Sequence, residues 1–199
     1  MERGIVTVIT GPMFSEKSGE LIRRCQKLAQ FGRMKVAAYK PAEDYRFGQA
    51  EIVSRIGYRL PAASISRELP EDQIRKVLKE TEEADVVAFD EVQFFAEPIF
   101  ELISALAAGG KQVITAGLNM DYRGKPFGSI GQLLAVADEI VKLSAFCAVC
   151  GSPSANFTQR VINGQPAEAG PVILIGDTES YEPRCRCCFS PPKQAAGEQ

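Results

Sequence analysis

Three groups of residues in this chain have types and spacing that could do chemistry. The first is GPMFSEKS, from Gly11 to Ser18. It meets the phosphate-loop pattern G-x-x-x-x-G-K-[ST] at Gly11, Lys17 and Ser18, but Glu16 stands where the pattern has glycine. Backbone N–H groups of such a loop cradle phosphate at a helix N-terminus, Lys17 would meet the outer phosphates, and the Ser18 hydroxyl would coordinate Mg²⁺. The second is Asp90-Glu91 in FDEVQFF. Asp90, at the end of an apolar strand, sits where an acid holds Mg²⁺ directly or through water, and Glu91 can face the crevice as general base. The third is Cys147-Ala-Val-Cys150 with Cys185-Arg-Cys-Cys188. Four thiolates bind Zn²⁺ tetrahedrally, and a closed set of four leaves no position for substrate, so the metal would be structural.

Each group has a blander reading: an ordinary strand-to-helix turn, a solvated acid pair, and free thiols. Cys187 lies inside the second cysteine pair and could compete as a ligand, although the two-residue spacing favours Cys188. Cys25 fits a helix core.

The elements needed to position these residues are legible. Ile5 to Thr10 is a short β-branched run ended by Gly-Pro, a buried strand entering a tight loop. Leu21, Ile22, Cys25, Leu28 and Ala29 follow helical spacing, with Gly32 as the expected stop. Lys35 to Tyr39 predicts a second strand, followed by a polar connection over KPAEDYRFGQ, and Ala50 to Ser54 a further strand. Pro70 to Thr81 predicts a helix opened by proline and acids. Asp85 to Phe89 is a strand delivering Asp90 and Glu91, Ile99 to Ala108 a helix stopped by Gly109-Gly110, and Lys111 to Ala116 another strand. Alternating strands and helices predict an α/β domain with a parallel sheet flanked by helices, its crevice beyond the strands' C-terminal ends. From Phe146 the texture turns to short strands and turns between cysteines. The reading is therefore a nucleotide-binding domain over 1–145, a small zinc-binding domain over 146–189, and a disordered tail over 190–199.

Composition narrows the function. Hydrophobic residues at 45% and charged ones at 24% suit a globular chain. A formal net charge of -2 offers no general attraction to nucleic acid or an anionic membrane. No apolar run approaches the roughly 18 residues of a membrane span, and the N-terminus lacks a signal-peptide pattern, so a cytoplasmic location is expected. The chain has no histidine. That excludes histidine bases, Ser-His and Cys-His nucleophiles and histidine metal ligands.

In order and spacing, these elements resemble the type II thymidine kinase family. The resemblance runs from about Ile5 to Phe189 through GPMFSxKS at 11–18, KPAxDxR at 40–46, FDEVQFF at 89–95, GLNMDYRGKPFG at 117–128, CxxCG with AxFTQR at 147–160, and IGDTESYEPRCRxC at 175–188. It implies a RecA-like P-loop domain with a zinc-bearing lasso domain, and ATP-dependent phosphorylation of the thymidine 5′-hydroxyl to thymidine monophosphate. Carried over by position, Gly11, Pro12, Met13, Phe14, Ser15, Glu16, Lys17 and Ser18 form the ATP phosphate site together with Asp90, Glu91, Val92 and Gln93. Ser18 and Asp90 support Mg²⁺, and Glu91 is the base. Phe94 and Tyr122 surround the thymine ring, while Met13, Leu118, Thr158 and Tyr181 meet its 5-methyl group. Cys147, Cys150, Cys185 and Cys188 hold Zn²⁺. The resemblance also implies a homotetramer inhibited by thymidine triphosphate.

Glu16 departs from the family, which has glycine there. A cradle glycine lets the backbone approach the phosphate, whereas glutamate adds a Cβ and a negative charge. In an effective dielectric of about 20, two unit charges 4 Å apart repel by about 4 kcal/mol. Either the side chain turns outward and the kinase works with weakened ATP affinity, or nucleotide binding is lost and a thymidine-binding pseudoenzyme remains. The intact acids, pocket residues and cysteines favour the first. A different class, a P-loop and zinc nucleic-acid-dependent ATPase or DNA-binding regulator, is opposed by the acidic balance and by a zinc region offering only Arg160, Arg184 and Arg186 as scattered cations.

Overall fold

In the computed structural model, which describes residues 4–42, 50–172 and 180–192, the short apolar runs become one wholly parallel six-stranded sheet. Its strands are β1 (Ile5–Gly11), β2 (Val36–Pro41), β5 (Ala63–Ile65), β6 (Val86–Phe89), β7 (Gln112–Leu118) and β8 (Glu139–Lys142), in the order β5-β2-β6-β7-β1-β8. Successive side chains of a strand point to opposite faces. In β6, Val86 and Ala88 accordingly join one core while Val87 and Phe89 join the other.

Helix α1 (Lys17–Gln30) covers one face with Leu21, Ile22 and Cys25. Beside it lies the hairpin β3 (Glu51–Val53) and β4 (Arg59–Pro61), which buries Ile52 and Leu60 in the same core. The other face is covered by α2 (Glu71–Glu80), α3 (Pro98–Ala108) and α4 (Ile130–Val136), through Val77, Ile99, Leu102, Ile103, Ile130 and Leu133. Both faces are dry, as short uninterrupted apolar strands require. The C-terminal ends of the neighbouring parallel strands β6, β7 and β1 then carry Asp90, Asn119 and Gly11 along one edge of the sheet.

Beyond β8, the strands β9 (Phe157–Ile162), β10 (Gln165–Pro166) and β11 (Ser180–Arg184) form a separate antiparallel sheet in the order β10-β9-β11. The 50–54 strand pairs only in its hairpin, outside the main sheet. Gly32 does not close α1 in a left-handed turn; Arg33 takes that conformation, while a Cβ on Gly32 would lie 2.6 Å from the Leu28 carbonyl oxygen. Most of the expected connection at 40–49, the 173–179 part of the long excursion, and residues 193–199 of the expected disordered tail lie outside the described residues. Among the described residues, no helix is long and apolar enough to cross a membrane.

Candidate functional site

The loop between β1 and α1 is fixed by contacts from outside itself. A Cβ on Gly11 would lie 2.5 Å from the Leu143 carbonyl oxygen and 2.7 Å from Ser15 Oγ, so only glycine lets the strand end there. Ser15 Oγ donates to the Pro12 carbonyl at 2.8 Å, and the Met13 N–H donates to Thr158 Oγ1 at 3.0 Å. That last bond ties the loop to β9 and brings two expected pocket residues together. Phe14 is left-handed and half-exposed, with the Arg55 guanidinium 4.1 Å from its ring centroid. Lys17 Nζ donates to the Pro12 carbonyl at 2.7 Å, which holds the ammonium over the loop.

Glu16 caps α1 in the left-handed region, at φ 59 and ψ 34. This is the conformation that favours glycine, and it costs most other residues about 1 to 2 kcal/mol. The side chain is partly exposed. Its Oε2 is buried without a hydrogen-bond partner and lies 3.0 Å from where a Cβ on Gly19 would stand, with the Ser54 Cβ also close by. The carboxylate is therefore folded back along the start of α1, toward the β3–β4 hairpin.

At the end of β6, the Ser18 hydroxyl donates to Asp90 Oδ1 at 3.1 Å. Asp90 is buried, and that burial, with the Glu91 charge second, pushes its carboxyl up to about 7 against the lowering effects of the Ser18 hydroxyl and Lys17. A buried carboxyl beside a second carboxylate and a hydroxyl is a hard oxygen donor set that a divalent cation relieves. Glu91 is also left-handed, at φ 50. Its Oε2 accepts a hydrogen bond from Gln93 Nε2 at 2.6 Å, and Gln93 Oε1 in turn accepts the Leu118 N–H at 2.9 Å. Gln93 thus spans Glu91 and the end of β7. Two glycines leave it room: a Cβ on Gly117 would stand 2.7 Å from Gln93 Oε1, and one on Gly128 2.4 Å from the Gln93 carbonyl oxygen. Val92 is buried in the core beneath this arrangement.

The expected ring-binding residues fall into two groups. Phe94 meets Phe127 edge-on at 5.5 Å between centroids. Tyr122 and Tyr181 are brought together by Arg160, whose guanidinium lies 4.1 Å from the Tyr122 ring centroid and hydrogen-bonds the Tyr181 hydroxyl. Sequence reasoning missed Arg160, Gly117 and Gly128. It also missed Asn119, whose Nδ2 donates to the Asn156 carbonyl while its buried Oδ1 is unpartnered.

The ligand sulfurs of Cys147, Cys150, Cys185 and Cys188 all lie within 4.8 Å of one another, with Cys150 and Cys185 3.7 Å apart. A tetrahedron of sulfurs about 2.3 Å from zinc has edges of roughly 3.8 Å, so the cluster has the size and the soft donors zinc requires. Burial opposes ionisation of Cys147, yet the N–H groups of Cys185, Cys150 and Val149 outweigh it and bring that thiol down to about 6. The neighbouring Cys185 side chain, foremost among several causes, pushes Cys188 up to about 12. Four adjacent thiols cannot all ionise without a cation. Cys187 is exposed and outside the cluster. Of the three expected cations in this region, Arg160 is fully buried, Arg184 pairs with Glu182 and Arg186 lies over the Phe157 ring.

A family model described as thymidine kinase matches residues 4–189. Among solved structures, a replication initiator DnaA bound to AMPPCP and single-stranded DNA is similar at a TM-score of 0.39 and 12% identity, covering 70% of this chain and 40% of that one.

Proposed function

Because the chain belongs to the thymidine kinase family, we propose that it transfers the γ-phosphoryl group of ATP to the 5′-hydroxyl of thymidine. The observation that carries this reading is the meeting of the β1–α1 loop with the end of β6, where the Ser18 hydroxyl donates to Asp90 and the charges of Lys17 and Glu91 both act on it. Glu91, oriented by Gln93, takes the proton of the 5′-hydroxyl as its oxygen bonds to the γ-phosphorus. The bond from that phosphorus to the β,γ-bridging oxygen breaks, and ADP leaves. Lys17 offsets the charge on the transferring group. Ser18 and Asp90 would hold Mg²⁺, which when bound neutralises phosphate charge. Cys147, Cys150, Cys185 and Cys188 would hold a structural Zn²⁺ that clasps the ends of the β9–β11 region. Phe94, Tyr122, Met13, Leu118, Thr158 and Tyr181 would enclose thymine. A homotetramer and inhibition by thymidine triphosphate are part of the same proposal.

Glu16 at a left-handed loop position that suits glycine supports a second reading, a thymidine-binding chain with little hold on ATP. One experiment separates the two: phosphoryl transfer from radiolabelled ATP·Mg²⁺ to thymidine by the wild type and by Glu16→Gly. Transfer by both supports an active kinase, and transfer by the variant alone supports the second reading. Transfer by neither, with zinc bound and the chain folded, refutes the catalytic assignment.

A further inference from the structure

The phosphate loop and the cysteine cluster are joined by hydrogen bonds that can be followed atom by atom. Asn156 donates its N–H to the carbonyl of Arg184, the residue before Cys185, at 3.1 Å. The Asn156 carbonyl accepts Nδ2 of Asn119 at 3.0 Å, and the Asn119 N–H donates to the Gly11 carbonyl at 3.3 Å. Two residues on, Thr158 pairs with Pro183 across β9 and β11 and accepts the Met13 N–H at 3.0 Å. Ala155 exchanges two N–H bonds at 3.0 Å with Ala145, just ahead of Cys147. Residues 155–158 are therefore fastened to both cysteine pairs on one side and to Gly11 and Met13 on the other. Asn119 is 8% exposed, and its Oδ1 has no partner. The side chain keeps this orientation because a flipped amide would set Oδ1 against the Asn156 carbonyl. The apolar cluster around the four cysteines consists of Ala145, Ala155, Cys147 and Cys185, with Cys188 packed against it. So small a core leaves the ordering of this region to the metal ion that its sulfurs would hold.

We propose that Asn119 and Thr158 are positioning residues that link the two sites, so that zinc at the cysteines and ATP at the phosphate loop each raise the chain's affinity for the other. The inference rests on the thymidine kinase reading, with its zinc clasp, and adds to it a coupling between two of its sites. With zinc bound, residues 156–158 are fixed and hold Gly11 and Met13 by one bond each. As zinc leaves, both anchors loosen, and the loop spends part of its time away from the shape that cradles phosphate. ATP that binds the anchored loop better than the loosened one must, by linkage, favour the zinc-bound chain by the same factor.

The test is competition for zinc between the full chain and a chromophoric chelator, with and without saturating ATP·Mg²⁺, in the wild type, Thr158→Val, Thr158→Ser and Asn119→Ala. Calorimetry first measures ATP binding to each zinc-loaded chain. ATP is expected to raise the zinc affinity of the wild type about tenfold, within the usual range of coupling between sites. Thr158→Val and Asn119→Ala should each shrink that factor, and Thr158→Ser, which keeps the hydroxyl acceptor, should preserve it. Zinc held by ATP itself is common to all four chains and does not alter the comparison. The same factor in Thr158→Val as in the wild type means that the Met13 bond serves only the fold, and it overturns the inference. So does a wild type that binds ATP and whose zinc affinity ignores it; in both cases the kinase reading stands. A wild type that binds no ATP overturns the kinase reading and this inference with it. Should Asn119→Ala fail to fold, the contrast between Thr158→Val and Thr158→Ser decides alone.

Discussion

Replacing Glu16 by glycine is expected to raise both the stability of the chain and its affinity for ATP, and the structure sets the size of the first effect. Glu16 is held at φ 59, where a non-glycine residue gives up about 1 to 2 kcal/mol. Its buried Oε2 has no partner, which costs about 1 to 3 kcal/mol more. Glycine returns about 0.5 to 1 kcal/mol through the greater freedom of the unfolded chain. The balance is about 2 kcal/mol in favour of glycine, or a rise of about 4 to 8 °C in Tm for a chain of this size. Thermal unfolding of the wild type, Glu16→Gln, Glu16→Ala and Glu16→Gly separates the contributions. Alanine keeps the left-handed strain and removes the carboxylate, so it should recover only part of the gain. Glutamine keeps the bulk and removes the charge. By calorimetry, ATP should bind Glu16→Gly at least about tenfold more tightly, as expected when about 1.4 kcal/mol of repulsion is removed, while thymidine affinity stays level. A glycine variant that melts at or below the wild-type temperature refutes the reasoning; an alanine variant that gains as much as glycine refutes the strain component alone.

Further expectations are independent of residue 16. Glu91→Gln should lower single-turnover transfer by about 10² to 10⁴-fold and leave thymidine binding intact, since only the proton acceptor is lost. Gly117→Ala places a Cβ 2.7 Å from both Gln93 Oε1 and Val92 Cγ1, so urea unfolding should show a loss of about 1 to 3 kcal/mol, together with slower transfer from a misplaced Glu91. In the zinc-loaded chain, an aromatic disulfide reagent should label Cys187 alone, because burial pushes the Cys25 thiol up to about 12 and the other four would be held as zinc ligands. Metal analysis should correspondingly find zinc retained in Cys187→Ser and lost in Cys188→Ser. Hydrogen bonding from Arg23, outweighing burial and joined by Arg24, holds the Glu20 carboxyl down at about 2, from an ordinary 4.5. The stability that this interaction contributes is present above about pH 4.5 and is lost as pH falls toward 2. Urea unfolding at pH 5 and pH 3 should therefore show a smaller acid loss in Glu20→Gln than in the wild type.

What could be read from the sequence was what local pattern controls. The β1–loop–α1 unit has its signals within a few residues: a β-branched run, Gly-Pro, and helical spacing through Cys25. The cysteine pairs carry their own geometry. By contrast, β8 is an exposed edge strand with no hydrophobic run, and its place is set by pairing with β1 and by the Thr7 to Glu139 hydrogen bond. Arg160 lay in FTQRVI, where the first five residues are all buried and no alternation marks a solvent face. Its burial depends on Tyr122, Tyr181 and the 170–172 segment, contacts that no short window contains.

Glu16 shows the same division between what is local and what is not. Its identity breaks the phosphate-loop pattern, and a local argument would have the loop rearrange around it. Instead it takes the left-handed conformation suited to glycine and leaves a carboxylate oxygen orphaned. Such strain persists only where the surroundings determine the backbone more strongly than the residue does. Here those surroundings are the close approach of Gly11 to the Leu143 carbonyl, the Ser15 to Pro12 bond, and the Met13 bond to Thr158 on β9. The shape of the phosphate loop is thus held in part by β9, the strand that also carries Arg160. Thr158→Val, which removes the acceptor for the Met13 N–H, should therefore loosen the loop and lower ATP affinity even though residue 158 belongs to the proposed thymine pocket.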